Sequence, residues 1–242
     1  MELRNRHIVV TGGTSGVGLE LVRLLVAENR VTVVGRTSPR SARLREEFLS
    51  VGFITADLLE AGAARAVVAA LAEDEVVDGL INCAAIQCTP HFNDPDFDPA
   101  SIPREIATNL TAPCELTAAL LPRLLAAPEA FILNVNSALA LVPKPDSAVY
   151  CATKAALNAF SLSLRAQLQC TSVRILQAFL PLVDTAMTAG RGTGKLPADR
   201  VARDILAGIE RAVEDNDIGK VALLRKLHRF LPGIARKIVA RG

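Results

Sequence analysis

A glycine-rich turn near the start of the chain restricts its fold more than any other feature. His7-Ile8-Val9-Val10 reads as a short buried strand. Leu19 to Asn29, with leucine or valine at 21, 22, 24, 25 and 26, reads as an amphipathic helix. Between them lies Thr11-Gly12-Gly13-Thr14-Ser15-Gly16-Val17-Gly18, a Thr-Gly-x-x-x-Gly-x-Gly spacing. Strand, glycine turn and helix in this order are what a phosphate site needs. Missing Cβ atoms let the backbone approach a pyrophosphate, and a helix N-terminus offers unpaired N–H donors and the positive end of a dipole. A lone turn of this kind is also compatible with a plain loop, so the rest of the chain has to decide.

The rest of the chain alternates. Arg30 to Gly35, Phe53 to Ala56, Val77 to Cys83, Ala130 to Asn136 and Val173 to Phe179 read as further strands. Arg40 to Leu49, Ala63 to Ala72, Ile102 to Leu125, Val149 to Gln169 and Ala198 to Glu214 read as helices. This pattern predicts an α/β fold: one doubly wound, Rossmann-like parallel sheet of six or seven strands with helices on both faces. Lys220 to Leu224 is a candidate seventh strand, for which a helix competes. In such a sheet the ligand crevice lies at the carboxyl ends of the strands, and Gly12, Arg36, Asp57, Asn82, Ser137 and Val183 all follow strand ends.

Half of the 242 residues are hydrophobic, enough for one large core, and the expected organisation is a single cytoplasmic domain over residues 1–242. No signal-peptide pattern and no apolar run near the ~18 residues of a membrane span is visible. The five cysteines (83, 88, 114, 151 and 170) contain no C-x-x-C pair and read as reduced thiols rather than disulfides or metal ligands, so no metal is expected.

The chain has one tyrosine and no tryptophan, and Tyr150 stands four residues before Lys154. On a helix these positions share a face, so the ammonium can lie beside the phenol and is expected to favour its ionised form over an ordinary pKa near ~10. That makes Tyr150 a candidate acid/base. Ser137 ends the Ala130–Asn136 run, and the connection to Tyr150 is long enough to return its hydroxyl to the phenol. A chance tyrosine and lysine on a solvated helix face is the blander account of the pair taken alone.

These motifs, in this order, resemble the short-chain dehydrogenase/reductase family over nearly the whole chain. The signature points fall on Gly12, Gly16 and Gly18, Asn82-Cys83-Ala84-Ala85, Asn109, Ser137, Tyr150, Lys154 and Val183-Asp184-Thr185. Ala85-Ile86-Gln87, the run from Tyr150 to Leu157 and the basic C-terminus are similar to the branch named for D-alanine esterification of teichoic acid. The resemblance implies an oxidoreductase that moves hydride between a nicotinamide and a carbonyl or secondary alcohol. Tyr150 would be the acid/base, Ser137 would hold the substrate oxygen, Lys154 would bind the nicotinamide ribose, and Asn109 would kink its helix and order a proton-relay water. The coenzyme would lie along Gly12, Thr14, Ser15, Gly16, Val17 and Gly18, then Asp57 and Leu58, Asn82 and Ala84, with Val183 and Thr185 gripping the nicotinamide amide.

The end of the second strand bears on coenzyme choice. A carboxylate there would bind a ribose diol, whereas this chain has Arg36, Thr37 and Ser38, with Arg40 and Arg43 close behind. A guanidinium and hydroxyls suit a 2′-phosphate, so NADP(H) is expected over NAD(H). Three departures from the family pattern stand out. Ala85 replaces a glycine that could take a positive φ, Asn136 precedes the catalytic serine, and Leu180-Pro181-Leu182 replaces a Pro-Gly pair.

Residues 220–242 carry seven Lys or Arg and no acid; against a whole-chain charge of +2 this leaves the first 219 residues at −5. Interleaved apolar residues predict an amphipathic C-terminal segment outside the coenzyme site. Such a segment would pack on the body, cap a homodimer or homotetramer, or meet an anionic membrane. No base-reading motif accompanies the charge, so no nucleic-acid partner is expected. The expected substrate is a small or medium apolar ketone, contacted by loops 86–97, 138–149 and 188–197. The alternative from another class is a catalytically silent NADP-binding sensor or scaffold.

Overall fold

The computed structural model describes residues 1–72, 75–89 and 91–241. Pro90, inside one expected substrate loop, and Gly242, the last residue of the basic segment, lie outside the described residues.

Seven parallel strands form one sheet: β1 (His7–Thr11), β2 (Arg30–Gly35), β3 (Gly52–Thr55), β4 (Gly79–Asn82), β5 (Ala130–Ser137), β6 (Val173–Leu180) and, at the far edge, Asp215–Asp217. The order is β3-β2-β1-β4-β5-β6 and then the edge strand, so the winding reverses between β1 and β4. A crevice opens there at the strands' carboxyl ends. Two short strands, β7 (Val183–Asp184) and β8 (Leu196–Pro197), pair separately, and the edge strand is therefore β9.

The helices between the strands are α1 (Gly16–Leu25), α2 (Pro39–Glu47), α3 (Ala63–Ala69), α4 (Ser101–Ile106), α5 (Ala112–Leu125), α6 (Ala148–Gln167) and α7 (Ala198–Glu210). Strand alternation divides the core. Ile8 and Val10 of β1 join Leu21, Val22 and Leu25 of α1 and Val201, Ile205 and Ile209 of α7 on one face. Val9 joins Leu116, Leu120 and Leu124 of α5 and Leu164 of α6 on the other. These strands are buried on both faces, which is why they read as continuous apolar runs.

The seventh strand is not at Lys220–Leu224. Lys220 precedes α8 (Val221–Phe230), which is followed by α9 (Pro232–Arg241), and the strand is the polar Asp215–Asp217. An edge strand of three residues pairs on one side only, through Gln177, Ala178 and Phe179, and has little need of apolar residues.

The predicted helix across 102–125 is also three pieces. Between α4 and α5, Ala107–Thr111 widens into one π-helical turn containing Asn109. Beneath the crevice a polar chain crosses the sheet. Asn82 donates to Asn134 (2.9 Å), Asn134 to Ser161 (2.8 Å), and Ser161 to the Leu157 carbonyl (2.7 Å). Each side chain of this series is buried and donates to the next, so the donors are satisfied without solvent.

Candidate active site

A cleft of about 1130 Å³ opens at the crevice. Its floor begins at the turn between β1 and α1. Gly12 has φ +71°, and a Cβ there would lie 2.8 Å from the Ala84 backbone. A Cβ on Gly18 would lie 2.3 Å from the Gly12 carbonyl oxygen. Both positions therefore exclude side chains, one by conformation and contact, the other by contact. Thr11 fastens the turn to the next strand, its Oγ1 accepting the Cys83 and Ala84 N–H groups at 3.1 Å. The result is a backbone cradle at the N-terminus of α1, and the donor set fits the diphosphate of a dinucleotide.

Gly12, Thr14, Ser15, Gly16, Val17, Gly18, Arg36, Asp57, Leu58, Ala84, Ser137, Tyr150, Lys154, Val183 and Thr185 all line this one cleft. Three expected residues do not. The Asn82 side chain is directed into the sheet, onto Asn134. Thr37 turns its hydroxyl toward Thr55 (3.4 Å). Asn109 is fully buried behind the cleft wall; its Oδ1 accepts the Ile86 N–H (2.9 Å), and its Nδ2 donates to the Ile86 carbonyl (2.8 Å) and to Thr153 (3.2 Å). The amide thus clamps the strand-end loop to the helix that carries Tyr150.

At the adenosine end, Arg36 is largely exposed and its guanidinium is 3.9 Å from Asp57. Asp57 also accepts the Leu59 N–H (3.0 Å), as the first residue of a turn does. Arg40, on α2, lines the same end. Two guanidiniums beside one carboxylate leave a positive surplus there, which suits a phosphate.

At the other end, α6 presents Tyr150 and Lys154 on one face. Lys154 donates from Nζ to the Val135 carbonyl (2.8 Å). Burial pulls its pKa down to about 8, against an upward push from the Cys83 side. Burial pushes the Tyr150 phenol up to about 12, against a downward effect from a hydrogen bond with Ser137. Lys154 is expected from its spacing to favour the ionised phenol; in the resting site desolvation outweighs that effect and keeps Tyr150 in its protonated form. Ser137 starts a 3₁₀ turn at Ala138–Ala140, its Oγ accepting the Leu139 N–H (3.1 Å).

The three departures have local accounts. Ala85 is not among the residues with positive φ, so the missing glycine costs no strain there. Asn136 donates to Gln177 (3.0 Å) and accepts the Ser137 N–H (2.9 Å), which fixes the backbone of the serine. Pro181 and Leu182 form cleft wall beside Val183. Thr188, not singled out in the sequence, ties this wall together: it donates to the Val183 carbonyl (2.5 Å), and Lys195 donates to the Thr188 carbonyl (2.6 Å). No motif marks it, because its role depends on a loop returning to the strand end.

The remaining wall is more polar than an apolar ketone would require. His91, Lys144, Asp146 and Arg191 take part in it alongside Ile86, Leu139 and Met187. Val239 of α9 lines the cleft too, so the C-terminal segment is not wholly outside it. Val239 and the fully buried Ala235 lie one turn apart on α9, and this small-residue face is what packs inward. Phe230, Leu231, Ile234 and Ile238 are exposed.

Among the described residues there is no group of ligating side chains fit for a metal, and all five cysteines are free. No helix among them is long and apolar enough to cross a membrane.

The family model described as short chain dehydrogenase matches residues 6–195. The uncharacterised oxidoreductase DltE of Bacillus subtilis strain 168 is 38% identical over 189 residues, 77% of this chain and 75% of the relative. A short-chain dehydrogenase from Burkholderia cenocepacia J2315, solved with NADP, superposes with a TM-score of 0.85, covering 99% of both chains at 21% identity. A short-chain dehydrogenase from Sphingobium yanoikuyae, solved with NADPH, superposes with a TM-score of 0.80, covering 95% of this chain and 94% of the other at 25% identity.

Proposed function

The chain belongs to the short chain dehydrogenase family, and we propose that it is an NADP(H)-dependent oxidoreductase that interconverts a small carbonyl compound and its alcohol. Family membership makes it an oxidoreductase acting on small molecules; the coenzyme and the residue roles are our reading. One observation carries it: Ser137, Tyr150 and Lys154 line the same cleft as the glycine cradle. A proton donor and a dinucleotide diphosphate site thus share one cleft.

A bound nicotinamide supplies or accepts the hydride. The protein's part is to place a carbonyl oxygen and move its proton. Ser137 donates a hydrogen bond to that oxygen, and Tyr150, held protonated by burial, gives it the phenolic proton as the carbonyl carbon is reduced. Phenolate left behind on Tyr150 is then stabilised by the Ser137 hydrogen bond and by the Lys154 ammonium on the same helix face. Lys154, poised near neutrality, also serves to bind the nicotinamide ribose. Asn109 acts through position, holding Ile86 against α6, and the π turn around it is where a relay water would be ordered.

Two features support NADP(H). Arg36 and Arg40 line the adenosine end of the cleft, and a relative at 25% identity has been solved with NADPH. Assaying a panel of carbonyl compounds and alcohols with each coenzyme, followed by the absorbance of reduced nicotinamide at ~340 nm, tests the reading. Turnover with NADPH at lower coenzyme KM than with NADH is expected. Coenzyme binding without turnover of any compound would leave Tyr150 without the role assigned to it.

A further inference from the structure

One arginine in the substrate-side wall has no acid paired with it among the described residues. Arg191 lines the cleft together with Ser137 and Tyr150. Its guanidinium donates to the Met187 carbonyl, the one hydrogen bond that it makes among the described residues. A guanidinium has five N–H donors in a planar fork, so most of the fork is left to a ligand.

The acids nearby are already engaged. Asp146 faces Lys144 (3.3 Å) and His91 (3.8 Å). Asp184 is 3.9 Å from Lys195. Glu105 is buried, accepts the Cys88 N–H (2.8 Å), and is pushed by desolvation toward its neutral form. Among the described residues, no carboxylate is therefore paired with the Arg191 guanidinium. Arg191 lies near enough to the proton donor to push the Tyr150 pKa down, an effect smaller than the upward push from Glu105.

The loop is built to let the guanidinium adjust. Arg191 lies between Gly190 (φ +73°) and Gly192 (φ +53°), with Gly194 (φ +68°) just beyond. A Cβ on Gly190 or Gly194 would meet nothing, so these glycines serve the backbone conformation of the loop rather than close packing. The diphosphate cradle at Gly12–Gly18 and the Arg36 and Arg40 pair serve the coenzyme end. Arg191 stands with the groups that meet substrate.

We propose that Arg191 is a specificity-determining anion site, and that the substrate is a small oxo acid or hydroxy acid whose carboxylate pairs with this guanidinium while its carbonyl or hydroxyl oxygen lies between Ser137 and Tyr150. The inference rests on the oxidoreductase reading above. It replaces an apolar ketone with a carboxylate-bearing one. Arginine suits the task because its fork can take both carboxylate oxygens and so orient the carbonyl as well as bind it.

The test compares reduction of acetoacetate and levulinate with reduction of their methyl esters, using wild type, Arg191→Gln and Arg191→Lys. The NADPH dissociation constant of each protein is measured by fluorescence, and its fold by circular dichroism. Wild type should prefer at least one acid to its ester in kcat/KM. Arg191→Gln should lower the acid-to-ester ratio about tenfold or more, mainly through KM, and Arg191→Lys should retain part of it. NADPH affinity should not follow the ratio. Wild type that prefers both esters, or a ratio unmoved by Arg191→Gln, overturns the anion site and leaves the oxidoreductase reading intact. So does a matching loss of NADPH affinity, which would assign the guanidinium to the coenzyme. If no carbonyl compound is turned over with either coenzyme, the oxidoreductase reading itself fails and the anion site falls with it.

Discussion

The Lys154 ammonium sits over the Tyr150 ring, 5.8 Å from its centre, and is tied by a 2.8 Å hydrogen bond to the Val135 carbonyl. Its charge is thereby held against the π-face of the phenol and the end of β5. The pair is buried, and burial disfavours the charged form of each partner. Neutral phenol beside a readily deprotonated lysine is the resting arrangement, suited to delivering a proton.

Replacing Tyr150 by Phe keeps the ring that packs against Lys154 and removes only the hydroxyl. Turnover is expected to fall on the order of 10² to 10⁴-fold, while NADPH binding changes little. Steady-state rates together with coenzyme fluorescence check this, and activity within a few-fold of wild type would refute the assignment.

Lys154→Met should raise stability at neutral pH while lowering coenzyme affinity. The folded-state pKa of Lys154 is depressed to about 8 from 10.5. Below pH 8 the protein carries a buried charge that the unfolded chain solvates freely, and between 8 and 10.5 the unfolded state binds more protons than the folded one. Wild-type stability should therefore gain from this group as pH rises through that window, by on the order of 3 kcal/mol, and the variant should lack the gain. Urea melts at about pH 7, 8.5 and 10 without coenzyme measure it. Tyr150 acts in the opposite sense only above about pH 10, where the unfolded phenol ionises first.

At the coenzyme's other end, Arg36→Asp should invert the preference between NADPH and NADH. The substitution sets a second carboxylate beside Asp57 where a 2′-phosphate would sit, and offers an acceptor to a ribose diol. Titration with both coenzymes decides it. Equal affinities in wild type would remove the basis for a phosphate site at Arg36.

Deleting residues 232–242 removes Val239 from the cleft wall and Ala235 from its buried seat. Substrate KM should rise several-fold, with a smaller change in NADPH affinity, because the cradle at Gly12–Gly18 lies elsewhere. The deletion should also remove Ile234 and Ile238 from the exposed apolar surface and lower any self-association seen by sedimentation. An unchanged KM would make α9 irrelevant to the site.

Local sequence discloses those features that depend on local chemistry. The glycine turn, the alternation of strands and helices, and the spacing of Tyr150 and Lys154 each rest on a few adjacent residues, so they are legible. Asn82 reads as a coenzyme contact because it ends a strand at the crevice, but a strand side chain can point either way, and here Asn134 receives it. The β9 strand, Asp-Asn-Asp, carries no apolar signal because an edge strand is specified by its neighbour. Val239 and Arg191 reach the cleft only because distant segments fold back to it. The protonation of Tyr150 beside Lys154 is set by burial, which spacing does not encode.

The π turn at Ala107–Thr111 is set between two segments that are each fixed in rotation. The wider turn takes up one residue more than an α turn while the faces on either side keep their phase. Ahead of it, Glu105 is committed to Cys88; behind it, Leu116, Leu120 and Leu124 are committed to the sheet. Losing one residue from the turn would restore ordinary helical bonding and carry the Asn109 amide off Ile86 and Thr153. This stretch should therefore tolerate substitution far better than deletion. In a library of single-residue deletions, positions 107–111 should be depleted as sharply as the core strands, although only Thr108 and Asn109 among them are buried.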